Sequence, residues 1–188
     1  MSISDALRWN ARYREPANSK PAVPRELLVK FYQYIPPAGF VLDVAMGLGG
    51  NACFLVKNGF QVLGVDLSPV AVKRAKNECD ELLALVADSN EMIFPSNTFD
   101  AILNFYYLDR SILNLYKTIL KPGGLLFFET PGIGTSEIDR TIEKKYLLQK
   151  NELLITFASW DILYWNKVII KNSTKQHKVI EKMVLRKV

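Results

Sequence analysis

The chain has 188 residues, a net charge of +5, 49% hydrophobic and 23% charged side chains. That length buries about 70% of the unfolded surface in one core, and the composition excludes a disordered chain; a separate substrate domain has no room. The first fifteen residues lack a signal-peptide core, and no window approaches the ~20 apolar residues of a membrane span, so a cytoplasmic protein with no membrane partner is expected.

In chain order, Ser4 is placed to cap a first helix, DALRWNARYRE, residues 5–15. A second runs from Pro24 through RELLVKFYQYI to the breaker Pro36-Pro37, after a Pro/Asn/Ser loop. Alternation then begins. Apolar runs at 41–46, 61–66, 83–88, 99–105 and 124–130 read as buried strands. Helices fill 52–58, 69–78 and 109–120; the second has Ser68 as cap and Pro69 in its first turn, and the third stops at Lys121-Pro122-Gly123-Gly124. Only the link 89–98 is too short for a full helix. Cys53 and Cys79 fall on these helices as small hydrophobes, too few and too far apart in sequence for a disulfide scaffold or a structural metal.

The tail breaks the rhythm. After a short helix, NELLITFAS, two strand-like segments (161–170 and 176–188) are joined by KNSTK with no helix-length crossover, so they pair antiparallel. The chain is therefore expected to be α/β, one doubly wound domain over residues 1–188 with a mainly parallel seven-stranded sheet ending in an antiparallel hairpin. The basic excess lies in this tail: Lys167, Lys171, Lys175 and Lys178 flank the hairpin, where solvated lysines protect an edge, although a basic segment also attracts anions.

The turn of interest is VLDVAMGLGGNACFLV, residues 41–56, where a strand breaks into glycines and resumes as a helix. Such corners present backbone N–H groups to ligands at the carboxyl edge of the sheet. Gly47-Leu48-Gly49-Gly50-Asn51-Ala52 fits G-x-G-x-x-G/A, and Asp66 follows Gly47 by nineteen positions, which makes a dinucleotide site one reading. Asp43, just before the glycines, suits a cationic ligand better than a pyrophosphate.

Leu42-Asp43-Val44-Ala45-Met46-Gly47-Leu48-Gly49 resembles the acidic-x-Gly-x-Gly-x-Gly corner of the class I S-adenosylmethionine-dependent methyltransferases, with Ala45 where the first glycine usually stands. Phe99-Asp100-Ala101-Ile102-Leu103 and Leu120-Lys121-Pro122-Gly123-Gly124 are similar to that family's fourth strand and the turn before its fifth. The resemblance covers nearly the whole chain. It implies a Rossmann-like fold, S-adenosylmethionine as cofactor, Asp66 as the acid that takes both ribose hydroxyls, Leu67 against adenine, and Asp88-Ser89 beside the adenine amino group. A carboxylate accepting two hydroxyls is chemically apt, since charge-assisted bonds are worth about 1.5 to 3 kcal/mol net. Gly47 and Gly49 let the backbone approach the ligand; Asp43 either orients the glycines or holds the methionine ammonium through water. Trp9-Asn10-Ala11-Arg12-Tyr13 resembles the opening of small bacterial methyltransferases of the tellurite-resistance and thiol-methylating type.

The acceptor is expected to be a small molecule, since no added domain for nucleic acid is present. No catalytic base is assigned; the lone His177 lies on the terminal hairpin. Asn104-Phe105-Tyr106-Tyr107 is similar to the N-P-P-Y motif of amino-group methyltransferases but lacks both prolines; otherwise Asn104 lines the cofactor while Phe105 and Tyr107 pack. A non-catalytic cofactor-binding protein is the remaining alternative. Residues 1–36 are expected to form a lid, with Arg12 and Tyr13 inward and Trp9 packing it down. Trp9, Tyr13, Tyr106 and Tyr107 are candidates to face the sulfonium. The loop Pro131-Gly132-Ile133-Gly134 is expected to complete the pocket wall.

Overall fold

A computed structural model describes residues 3–15, 22–135, 143–171 and 177–188, with the side chains of 3, 4, 171 and 177 outside the description. Two strands form the centre of the sheet: β1 (Phe40–Val44) and β4 (Phe99–Phe105), whose inner residues are almost all buried. β2 (Gln61–Asp66) and the exposed edge strand β3 (Leu83–Val86) lie to one side, and β5 (Leu120–Pro131), β7 (His177–Arg186) and β6 (Asp161–Lys171) to the other, giving the order β3-β2-β1-β4-β5-β7-β6. The first five strands are parallel; β7 runs antiparallel to both of its neighbours. The seven-stranded, mainly parallel sheet with its antiparallel hairpin is the architecture expected, and it has a topological switch point between β1 and β4, where α/β sheets open a crevice at their carboxyl edge.

One face packs Val41, Leu103 and Phe127 beneath α2 (Glu26–Phe31), α3 (Gly50–Lys57) and α4 (Pro69–Glu78). The other packs Leu42, Ile102 and Phe128 against α5 (Leu113–Ile119) and α6 (Glu152–Thr156). Because successive strand residues point to opposite faces, a continuous apolar run such as Ala101-Ile102-Leu103 feeds both cores at once. Ser68 caps α4 as expected, its Oγ accepting from Ala71 N at 3.1 Å, with Pro69 in the first turn.

Several boundaries differ from the sequence reading. The first helix, α1, spans Ile3–Arg14, so Ser4 lies inside it and is not its cap. The second is one short α-helix followed by a 3-10 turn, Tyr32–Tyr34. Lys121-Pro122-Gly123-Gly124 is not a turn before β5 but an irregularity within it: the pairing jumps from Phe99↔Leu120 to Ala101↔Leu125. Proline has no N–H for a ladder, and Gly123 adopts a φ of 77°, so the strand buckles without ending. The loop 89–98 holds only a 3-10 turn, Ser89–Glu91, as its length required.

Candidate functional site

The crevice at the switch point is a cavity of about 330 Å³, within the range of small-ligand pockets. Its floor is the β1–α3 corner. Asp66, at the end of β2, organises that floor: Oδ2 accepts from Gly47 N and Oδ1 from Ser68 N, both at 2.8 Å. One buried carboxylate thus fixes both glycine corner and α4 cap, and these two hydrogen bonds offset part of the upward pull that burial exerts on its pKa.

Asp43 is 1% exposed, lines the cavity, and among the described residues its Oδ2 receives no hydrogen bond. Burial, reinforced by the charge of Asp66, pushes its pKa up to about 8. Two acids share one low-dielectric site with one lone oxygen, an arrangement that a cation would relieve.

The corner works through backbone conformations that side chains disfavour. Ala45 has a φ of 52°, which explains why glycine suits that position, and Gly47 one of 56°. A Cβ on Gly47 would sit 3.0 Å from the Tyr13 hydroxyl oxygen. Gly49, by contrast, does not face the cavity: its missing Cβ lets α4 close in, since that atom would stand 2.7 Å from Ala75 Cβ.

The expected site residues therefore divide. Asp43, Ala45, Gly47, Asp66, Leu67, Ser89 and Tyr13 all line the cavity. Gly49 serves helix packing, and Asp88 turns away to cap the 3-10 turn, accepting from Asn90 N at 3.0 Å. Asn104 is fully buried: its Nδ2 donates to Tyr107 O at 2.6 Å and its Oδ1 accepts from Tyr116 O–H at 2.8 Å. It does not line the cavity and both ends of its amide are engaged, which lends the N-P-P-Y reading no support. The Pro131–Gly134 loop is likewise absent from the wall, because Gly132 N donates to Val179 O and the loop is tied to Leu148. The backbone of His177 pairs with Lys171, and its side chain lies outside the described residues.

Trp9, Arg12 and Tyr13 of α1 form one wall, with Trp9 stacked on Tyr13 at 5.7 Å and Arg12 over Trp9 at 5.2 Å. Trp9 faces the cavity, and polar ties also hold the helix. Two of these ties come from residues to which the sequence reading gave no role. Asn10 Oδ1 accepts from Ser68 Oγ at 2.5 Å, and Arg74 donates to Tyr13 O at 2.7 Å. Arg25 was also missed; its backbone N donates to Asn51 Oδ1 at 2.8 Å, pinning the entry to α2 above the start of α3, and its guanidinium lies over the Tyr106 ring at 4.3 Å. The opposite wall is held by Tyr107, whose hydroxyl meets Ser89 Oγ at 2.6 Å. Among the described residues no helix is long and apolar enough to cross a membrane, and no cluster of three metal-ligating side chains occurs.

Residues 41–124 match a family profile described as "Methyltransferase domain". Demethylmenaquinone methyltransferase of Tropheryma whipplei is 33% identical over 94 residues, covering 46% of this chain and 39% of that protein. The 2-methyl-6-phytyl-1,4-hydroquinone methyltransferase of Synechocystis is 33% identical over 101 residues, 49% of this chain and 32% of that one. The chain thus spans well under half the length of these curated relatives. In fold it is similar to TehB from Haemophilus influenzae, with a TM-score of 0.77 at 18% identity over 96% of this chain and 67% of that one.

Proposed function

We propose that the protein is a class I, S-adenosylmethionine-dependent methyltransferase that transfers the sulfonium methyl to a small-molecule acceptor by in-line displacement, a reading supported by the match of residues 41–124 to a methyltransferase-domain profile and by the fold. The observation that carries the reading is the acid pair Asp43 and Asp66 at a glycine corner, with Asp43 Oδ2 buried and, among the described residues, without a hydrogen-bond partner. That donor set fits a cationic ligand and repels a pyrophosphate. S-adenosylmethionine supplies the electrophilic methyl; the chain supplies the rest. Asp66, still with free lone pairs on both oxygens, takes the ribose hydroxyls. Leu67, Ala87 and Ser89 line the adenine end, and Asp43 with the Gly47 backbone the methionine end. Trp9, Tyr13 and Tyr107 present aromatic faces to positive charge, worth about 0.5 to 2 kcal/mol each. Holding the nucleophile in line with water excluded supplies much of the rate, ~7 to 11 kcal/mol of effective-molarity advantage.

We take α1 as a lid over this site. Placement with the tellurite-resistance and thiol-methylating type rests on the Trp9–Tyr13 stretch and a likeness in fold to TehB, which speak to architecture and leave the acceptor open. The menaquinone and hydroquinone in the names of two relatives support a small acceptor.

Calorimetry tests the cofactor: S-adenosylhomocysteine should bind and NAD should not. Asp66→Ala should weaken adenosyl binding about tenfold or more, the loss of ~1.5 to 3 kcal/mol of charge-assisted bonding, with circular dichroism as the check on folding. Heat from NAD alone would overturn the assignment.

A further inference from the structure

Tyr106 follows the buried end of β4 directly and lines the cavity in a left-handed conformation, φ 57°, fixed by its N–H donating to Glu129 O at 2.7 Å. For an aromatic residue that geometry is costly, and it turns the ring out of the sheet toward the cavity. Behind it stands Glu129 on β5. This carboxyl group is 3% exposed, and among the described residues its Oε2 receives no hydrogen bond; the nearest cation, Lys182 Nζ, is 3.6 Å away. Burial, reinforced by the charge of neighbouring Glu129 and by a hydrogen bond to it, pushes the Tyr106 hydroxyl pKa up. Arg25 stacks across the outer face of the ring. A buried carboxylate with an open oxygen, reachable from the cavity through a single tyrosine hydroxyl, has no part in holding a cofactor.

Building on the methyl-transfer reading, we infer that Tyr106 and Glu129 are a proton exit for the acceptor, and that the acceptor is of the phenol class, an aromatic ring bearing a hydroxyl whose proton must leave. The acceptor hydroxyl donates to the Tyr106 oxygen while Tyr106 donates to Glu129. As the acceptor oxygen attacks, the S–CH3 bond breaks and the O–CH3 bond forms; the acceptor proton moves to Tyr106 and the Tyr106 proton to Glu129, which later releases it to water. Charge balances: the sulfonium becomes a neutral thioether and one proton is released. Tyr106 touches the acceptor and is the catalytic residue. Glu129 acts through it and is a positioning residue. Arg25, Phe105 and Tyr107 around the ring supply the flat walls that an aromatic acceptor needs.

A thiolate needs no such exit, so the test compares phenol with thiophenol, two probes of one shape, the second already ionised at neutral pH. With the full chain, S-adenosylhomocysteine formation is measured for wild type, Tyr106→Phe and Glu129→Gln, after calorimetry has shown that each binds cofactor. Both variants should lower kcat for phenol about a hundredfold or more, with KM little changed and the rise of rate with pH altered, while thiophenol turnover stays within about twofold. Equal losses on both probes would make the pair merely structural and overturn the inference, as would wild-type turnover of thiophenol alone or a full phenol rate in Tyr106→Phe. Each of those outcomes leaves the methyltransferase reading standing. Cofactor bound with neither probe turned over overturns the phenol-class proton exit and leaves the methyltransferase reading standing, whereas failure to bind S-adenosylhomocysteine removes that reading at its root.

Discussion

Ala45 holds a φ of 52°, a conformation that costs an L-residue about 1 to 2 kcal/mol. Ala45→Gly should relieve it, less the ~0.4 to 1 kcal/mol that glycine's freer unfolded chain takes back, for a net gain of up to about 1 kcal/mol in a urea titration. A lower midpoint would show that the methyl packs usefully. Asp43 gives a pH signature. Its folded pKa of about 8 stands above the ordinary 3.8, so between those values the folded protein keeps a proton that the unfolded chain has released. This contribution is complete below about pH 4 and is lost as pH rises toward 8. The thermal midpoint of the ligand-free protein should therefore fall from pH 5 to 8 more steeply than that of Asp43→Asn; parallel curves would refute the shifted carboxyl. Binding of a cation near pH 7 should expel the same proton, seen as a binding heat that varies with the buffer's ionisation enthalpy. The acid itself was legible in the sequence, because an aspartate in an apolar run before glycines has few other uses. Its orphaned oxygen was not, since that depends on which of the loop's N–H groups Asp66 has already taken.

At the scale of elements, two side chains, Asn10 and Arg74, tie α1 to α4. Asn10 meets Ser68 and Val70 N at the start of α4, and Arg74 reaches back to Tyr13 O. Asn10→Ala combined with Arg74→Ala removes these polar ties but leaves the sheet and its two cores untouched. Far-ultraviolet circular dichroism and the thermal midpoint should change little, while cofactor dissociation should quicken about tenfold or more, measured by stopped-flow fluorescence of Trp9. An unchanged off-rate would end the lid proposal. The helix was readable from its pattern, but its anchors were not: Asn10 lies 58 positions from Ser68 and Tyr13 lies 61 from Arg74, so each pair is joined only by folding. Gly49 and Asp88 show a related effect. Each sits in a motif-like position, yet the space or bond it serves belongs to a neighbouring helix or turn. The strand pattern was the most legible layer, because burial on both faces writes a continuous apolar run into the chain itself. The KPGG segment escaped it, since proline and glycines mark an interrupted strand and a finished one in the same letters.

For the whole molecule, several cations of the basic tail are engaged within the fold. Lys167 pairs with Glu181 at 2.9 Å, Lys182 lies between Glu129 and Glu26 at 3.6 and 3.7 Å, and Lys187 caps the Lys117 and Leu120 carbonyls at 2.7 and 2.6 Å. Cations already held by carboxylates and carbonyls release few counterions from a phosphate backbone. Gel shifts with RNA and duplex DNA should accordingly show no sub-micromolar binding near physiological salt, and a tight complex there would reopen the nucleic-acid alternative. The order of the sheet could not be derived from strand propensity alone, because β7 lies between β5 and β6 although it follows both in the chain. That insertion sets a schedule for biosynthesis. As the polypeptide leaves the ribosome, β6 emerges with no neighbour to receive it, and the open edge of β5 waits beside it. A premature parallel match of these two edges would be a trap that must dissolve before β7 can enter. The hairpin of β6 and β7, formed locally within microseconds, is the natural escape: the two strands zip together first and dock as one piece, so the rate of translation through residues 161–186 bears directly on how often the sheet closes correctly.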